Sequence, residues 1–310
     1  MKNIALENIQ HGTASFNYAV YKHGPQHYGY AFTPHWHEEY ELVYVKKGNF
    51  HFLINGQYFH VKEGQALLID QYAIHMFPDF QNHCNGEYIS YLFGRKFIFP
   101  SSSSYISEQF YDEMPPQKVS LSQLITGEFD WQKEILQYAS RLEELSLQPL
   151  KNALSIQIAL LSIFNQIKIN KAYILMQDNS MTKNEFIKKA LIYIHQNYSK
   201  DISVSRIAGF LHISTNQFIR VFKFLLGVTP QKYIQTYRIQ QAINAMHSAQ
   251  GVSELSVSDI VFEVGFHDLS YFSRRFKKET GLTPSQYINR LNRQDNNTVY
   301  NHNNDKDIHT

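Results

Sequence analysis

"VSRIAGFLHISTNQFIRVFKFLLGVTPQKYI" (204–234) and "VSDIVFEVGFHDLSYFSRRFKKETGLTPSQYI" (257–288) are two copies of one pattern. Ser205 matches Ser258 and Ile207 matches Ile260 at an offset of 53. Phe222/Phe276, Lys223/Lys277, Gly227/Gly281, Pro230/Pro284 and Tyr233/Tyr287 match at 54, so one residue is inserted in the turn between the two groups. So many ordered matches mark a repeated supersecondary unit. In the first copy Ser203 is an N-cap for a short helix, His212-Ile213 a turn, and Ser214 a second cap with Gln217 at the capping-box position. Gly227 stops the second helix, and Thr229-Pro230 opens the next with a cap and a proline whose missing N–H costs nothing there. In the second copy Gly265-Phe266-His267 is the turn, Asp268 the cap, and Gly281 with Thr283-Pro284 repeats the ending. Each copy is therefore helix, turn, helix.

Phe218 and Phe222, like Phe272 and Phe276, are four apart and face a core, whereas Arg220 and Arg274 face away. A helix that follows a tight turn and presents an arginine and small polar residues suits the DNA major groove. Two such units joined by a helix over 230–248 can enter successive grooves on one DNA face. Charge agrees. Residues 184–293 hold 14 Lys and Arg against 7 Asp and Glu, while the rest of the chain is acidic and the total is only +2.

This region resembles the AraC/XylS family of bacterial transcription regulators, through "GVTPQKYIQTYRIQQA" (227–242) and "VGFHDLSYFSRRFKKETGLTPSQYI" (264–288). The resemblance implies an all-α double helix-turn-helix domain at 186–292 whose second helices read bases. Carried over, the readers are Asn216 and Arg220 in the first unit, and Ser270, Tyr271 and Arg274 in the second, with Thr215 and Leu269 also in the DNA-binding set. Lys223 and Lys277, with Arg275 and Lys278, are then phosphate contacts, which position the protein without specifying sequence, or solvated charges. There are two departures: Ile219 stands where some relatives are polar, and the link at 247–257 is longer than usual. The implied partners are double-stranded promoter DNA and RNA polymerase, and the implied outcome is activation.

The N-terminal third has a different rhythm. "YELVYVKKGNFHFLINGQYFHVKEGQALLI" (40–69) alternates short β-rich runs with turns at Gly48-Asn49, Asn55-Gly56 and Glu63-Gly64, which predicts an antiparallel barrel or sandwich. Upstream, Gly29, His35, His37, Glu41 and Gly48 stand at the spacing of the first cupin motif, and Gly64, Asp70, Tyr72 and His75 form a degraded second one. The stretch 16–100 thus resembles a cupin, or jelly-roll, barrel, which AraC-type regulators use to bind an effector. His35, His37 and Glu41 share parity, hence one face of a strand, and His75 joins them from a later strand.

Three roles fit these four residues. They hydrogen-bond a small polar effector, of which sugars are a frequent class in the family. They hold a metal such as Zn, Fe, Mn or Ni, as in metal-bearing cupins, and the protein is then a metal-dependent enzyme or a metal sensor. Or they satisfy one another. The family context favours the effector, with no enzyme activity and no cofactor. Trp36 has the opposite parity and belongs elsewhere, while Tyr28, Tyr30 and Phe32 suit stacking on a sugar ring.

Trp131, Ile135, Tyr138, Leu142 and Leu145 have helical spacing, and "LKNALSIQIALLSIFNQIKI" (150–169) is helical and too broadly apolar for one neighbour to cover. The second stretch can pack on the barrel, on the preceding helix or on a second copy of the protein, and a homodimer through these helices is expected. The organisation is then a barrel domain at 1–110, a helical dimerisation or packing region at 111–178, a linker at 179–185, the DNA-binding domain at 186–292 and a disordered tail at 293–310. Cys84 is the only cysteine, which excludes an intrachain disulfide and a cysteine-rich zinc site. The absence of a signal pattern and of a long apolar run points to a cytoplasmic protein that does not engage a membrane.

Overall fold

The computed structural model describes residues 11–13, 15–24, 34–77, 86–99, 104–116, 118–176, 178–248 and 256–291. Side chains are not described for 178–182. The chain forms two compact units, Met1–Ile192 with Arg220–Gly227, and Tyr193–Ile219 with Val228–Thr310.

The first unit opens with strands β1 (Tyr18–His23), β2 (Tyr40–Lys47), β3 (Asn49–Ile54), β4 (Gln57–Lys62), β5 (Ala66–Ile69), β6 (His75–Met76) and β7 (Glu87–Phe93). Helices α1 (Arg95–Ile98) and α2 (Tyr105–Glu113), short strands β8 (Val119–Ser120) and β9 (Gln123–Ile125), and helices α3 (Asp130–Leu145) and α4 (Ala153–Ile169) follow. Strand β10 (Ile174–Leu175) precedes α5 (Asp178–Asn197). A five-stranded sheet has the order β1-β7-β2-β5-β9, and a three-stranded sheet the order β4-β3-β6. The hairpin between β3 and β4 turns on Asn55 (φ 48) and Gly56 (φ 85), both left-handed as a type I′ turn requires.

Alternation on β2 sorts the cores. Tyr40 and Leu42 join a cluster with Phe93, Tyr91 and Leu68 from adjacent strands and with Ile135, Leu142, Leu160 and Phe164 of α3 and α4. Val43 and Val45 belong to the opposite cluster, with Leu67, Ile69, Phe50, Phe52 and Phe59. The five-stranded sheet is thus packed on both faces, one by helices and one by the smaller sheet. The odd face of β2, which carries Glu41, is the inner one.

Two expected boundaries move. Strand β9 pairs with β5, and α3 and α4 share a core with the barrel strands, so 111–178 is part of the first unit and no division falls at 110. A sequence pattern shows that a helix face is apolar but not which sheet it covers. The expected linker 179–185 is helical, inside α5. Nothing from 178 to 197 breaks a helix, since the stretch holds neither proline nor glycine.

The second unit contains α6 (Val204–Phe210), most of α8 (Pro230–Ser248), α9 (Val257–Glu263), α10 (Leu269–Thr280) and α11 (284–291), while α7 (Thr215–Leu226) contributes to both units. Caps fall where the repeat placed them, with Ser203, Ser214 and Asp268 accepting from the N–H groups of Arg206, Gln217 and Tyr271, and Ser256 caps α9 in the same way through the N–H of Asp259. Gly281 closes α10 in the left-handed region. Among the described residues no helix is long and apolar enough to cross a membrane. The expected tail 293–310 lies outside the described residues, as do Tyr28, Tyr30 and Phe32.

Candidate effector pocket and nucleic-acid interface

The pocket residues reach one place by a different route from strand parity. His35 forms an isolated antiparallel bridge with His75, with N–H to O distances of 3.1 and 3.0 Å in the two directions. Residues 38–39 bend, and β2 starts only at Tyr40, so His35 and His37 do not share a strand with Glu41. Pairing between 35–38 and 71–75 brings the set together: the Tyr72 N–H donates to the His37 carbonyl at 2.8 Å, and Gln71 Nε2 to the Glu38 carbonyl at 2.6 Å. Asn55 fixes the other side, its Oδ1 accepting from the Ile74 N–H and its own N–H donating to the Ile74 carbonyl.

Glu41 Oε2 lies 3.4 Å from His37 Nε2 and 3.2 Å from His75 Nε2. The His35 ring centroid is 4.2 Å from that of His75, and the three histidines each bring a ring nitrogen within 4.8 Å of the others. His37, Glu41 and His75 are buried and His35 is partly exposed. Burial acts to raise the Glu41 pKa, but hydrogen bonding and charge from His37 and His75 outweigh it and hold the carboxyl well below its usual range. Each buried imidazole is oriented from behind: His37 Nδ1 is 3.1 Å from the Glu39 carbonyl, and His75 Nδ1 is 2.9 Å from the Ala73 carbonyl. A carbonyl can only accept, so both Nδ1 atoms carry the proton.

Two more residues join the site. Buried Glu39 has a carboxylate oxygen 3.7 Å from His37 Nδ1, and it shares the parity of Glu41, which could have flagged it. Buried His11 packs edge-on against His37 at 5.6 Å and meets the Tyr21 hydroxyl at 2.9 Å; it precedes any patterned strand, so no spacing rule reaches it. Trp36 is buried too, with Lys188 Nζ of α5 5.7 Å from its ring centre. Asp70, of the degraded second motif, is not among these ligand-like groups. It accepts from the N–H groups of Leu121 and Gln71, and burial raises its pKa to about 6. A surface depression of about 560 Å³ along the charged side of α3, lined by Asp130, Lys133, Glu134 and Arg141 among others, contains none of the pocket residues.

In the helix-turn-helix units, Phe218, Phe222, Phe272 and Phe276 are fully buried. Asn216, Arg220 and Lys223 are exposed on α7, and Thr215 is partly so. Leu269, Ser270, Arg274 and Lys277 are exposed on α10, and Tyr271 is partly so. Arg275 departs from the expected phosphate role: it is half-buried and pairs with Glu279 at 3.1 Å, one helical turn on. Helix α8 braces the second unit. Its Arg238 donates to the carbonyls of Tyr198 and Lys200, and its Ile239, Ala242 and Met246 join the core of Phe272 and Phe276. The longer link is bounded by the end of α8 and the start of α9, and residues 249–255 within it lie outside the described residues.

Comparison with known proteins gives the same two parts. Residues 17–78 match the model of an AraC-like ligand binding domain, and residues 207–290 that of a helix-turn-helix domain. The HTH-type transcriptional regulator YdeC of Bacillus subtilis (strain 168) is 26% identical over 296 residues, covering 93% of this chain and 98% of that protein. The HTH-type transcriptional activator RhaS of Escherichia coli O81 (strain ED1a) is 22% identical over 253 residues, 82% of this chain and 86% of that one. Unsaturated fatty acid bound ToxT from Vibrio cholerae strain SCE256 aligns with 90% of this chain and 97% of its own at 16% identity, with a TM-score of 0.44. A ligand-binding domain ahead of a doubled, capped helix-turn-helix whose polar faces are exposed is the arrangement of the AraC-type DNA-binding transcription regulators that this chain is similar to.

Proposed function

We propose that this regulator activates transcription in response to a small polar effector, a sugar, bound by His35, His37, Glu41 and His75 in the barrel. The observation that carries the reading is a buried group of three imidazoles and one carboxylate on the inner side of an otherwise apolar barrel. Hydroxyl groups of a sugar match such a mixed donor and acceptor set. In this reading Asn216, Arg220, Ser270, Tyr271 and Arg274 read bases, Thr215 and Leu269 complete the DNA-binding surface, and Lys223 and Lys277 hold phosphates.

The active form is a cytoplasmic homodimer. Leu147, Leu150, Leu154 and Ile158 are 53–75% exposed and form an apolar stripe from the α3–α4 turn onto α4, which a second copy would cover. Activation then requires contact with RNA polymerase, and the effector acts as a coupling free energy between barrel and DNA affinity. The test is DNA footprinting and in vitro transcription with purified RNA polymerase, with and without a panel of sugars. A sugar that changes promoter occupancy in the intact protein but not in a His37→Ala variant supports the reading. Occupancy and transcript yield indifferent to every sugar would remove the effector assignment and leave the DNA-binding assignment standing.

A further inference from the structure

We propose that Ile219 on α7 and Leu269 on α10 read thymine, each by packing its side chain on the C5 methyl group that this base carries into the major groove. The proposal rests on the assignment of α7 and α10 as base-reading helices, and it adds to that assignment a residue, Ile219, and a base. Residues four apart stand one above another on a helix. Thr215, Ile219 and Lys223 form such a row on α7, and Leu269, Ser273 and Lys277 form the equivalent row on α10. Each row holds one hydroxyl, one branched apolar side chain and one lysine, with the first two exchanged between the helices. Both rows run along the shoulder between the buried phenylalanines and the exposed arginines. Lys223 and Lys277 are exposed, Leu269 is 39% exposed, and Ile219 and Ser273 are partly so. Leu269 takes no part in the core around Phe272 and Phe276.

An apolar side chain left partly in water beside exposed polar residues gains free energy only when something apolar covers it. On DNA the choice is narrow. Base edges in the major groove present nitrogen and oxygen donors and acceptors, and the thymine methyl is the one apolar group that the four bases place there. A polar edge pressed against isoleucine or leucine loses its hydrogen bonds to water and gains none, so the same side chain selects against guanine and cytosine. Exposed Asn216 and Arg220 on α7, and Ser270 and Arg274 on α10, supply the hydrogen-bonding part of the readout. A deoxyribose would also cover an apolar side chain, but it carries no sequence information. Removing the methyl alone separates these two contacts.

The test uses untagged full-length protein and synthetic duplexes, with and without the panel of sugars. Sites are enriched from a pool with a randomised centre. Each thymine of the enriched site is then replaced singly by uracil, which pairs identically and lacks only the methyl, and affinity is read by gel shift at fixed salt. The expected result is at least one thymine in each half-site at which uracil weakens binding by the parent about three- to sixfold, the factor that burying one CH₂-sized group supplies. Ile219→Ser should abolish the uracil effect in one half-site and Leu269→Ser in the other, whereas Ile219→Val, still apolar and branched, should keep it. The scan of the parent needs no variant, so a variant that misfolds does not remove the test. A flat scan in both half-sites, or uracil effects that persist unchanged in the folded serine variants, would overturn the inference. If binding to the enriched site is nevertheless lost in Arg274→Ala, the base-reading assignment stands without it. Failure of the parent to enrich any sequence overturns both.

Discussion

Arg274 shows how much one exposed side chain can be asked to do. It projects from α10 opposite the buried pair Phe272 and Phe276, with Ser270 one turn before it. If it reads a base edge, Arg274→Ala weakens binding to the cognate site by about 1–3 kcal/mol and leaves random DNA nearly unaffected. Equal losses on both, in parallel gel-shift titrations at fixed salt, would show a phosphate contact instead. His195 is a different kind of residue. It stacks flat on Tyr237 at 4.0 Å, meets the Tyr233 hydroxyl at 2.6 Å, and burial lowers its pKa from 6.5 to about 3. The neutral form is the folded one, so its contribution is complete above pH 6.5 and is lost as pH falls toward 3. At pH 5 the linked loss is about 2 kcal/mol. His195→Phe keeps the stack and removes the titration. Urea unfolding across pH 5 to 7.5 should show a flatter profile in the variant, beneath a uniform cost of about 1 kcal/mol for the lost hydrogen bond. An unchanged slope would show that His195 is not the titrating group.

At the scale of the element, the turn between α9 and α10 is the most constrained point of the second helix-turn-helix. Gly265 has φ 88, and a Cβ there would stand 2.8 Å from the carbonyl oxygens of Tyr198 and Ser199. Gly265→Ala therefore adds a backbone clash to left-handed strain, and should cost about 1–3 kcal/mol in thermal or denaturant unfolding. A neutral result would mean the 198–199 segment moves away freely. The repeat placed Gly265 in the turn, but its counterpart in the first copy is His212, which takes the left-handed conformation at φ 56; that the second copy needs a glycine because it presses on the loop after α5 was not legible, since the partner lies more than sixty residues away. The same holds for the pocket. His35, His37, Glu41 and His75 were legible by spacing, but the reason first given for their meeting, a shared strand face, applies to Glu41 alone. Local bridging between 35–38 and 71–75 does the work, and hydrogen bonds between loops leave no periodic trace in sequence.

At the scale of the whole molecule, the open question for assembly is the apolar stripe from Leu147 to Ile158. Leu154 and Ile158 are one turn apart and exposed, so Leu154→Glu with Ile158→Glu puts like charges on the stripe without disturbing buried Ile156 or Leu160. If copies pair there, light scattering should show the parent as a dimer and the variant as a monomer. A variant that remains dimeric would place the interface elsewhere.

What the sequence by itself determined is what local rules encode: the doubled helix-turn-helix with its caps and outward arginines, the strand–turn alternation, and the residue types at the pocket. Each depends on neighbours within a turn or a hairpin, so spacing alone carries it. What only the tertiary structure decided is whatever depends on distant partners. That α3 and α4 share a core with the barrel sheet, that α5 runs helical through the polar stretch at 179–185, that Arg275 is tied to Glu279, and that His11 and Glu39 stand beside His37 all follow from packing. Burial and electrostatics are properties of surroundings, and a chain acquires its surroundings only when it folds.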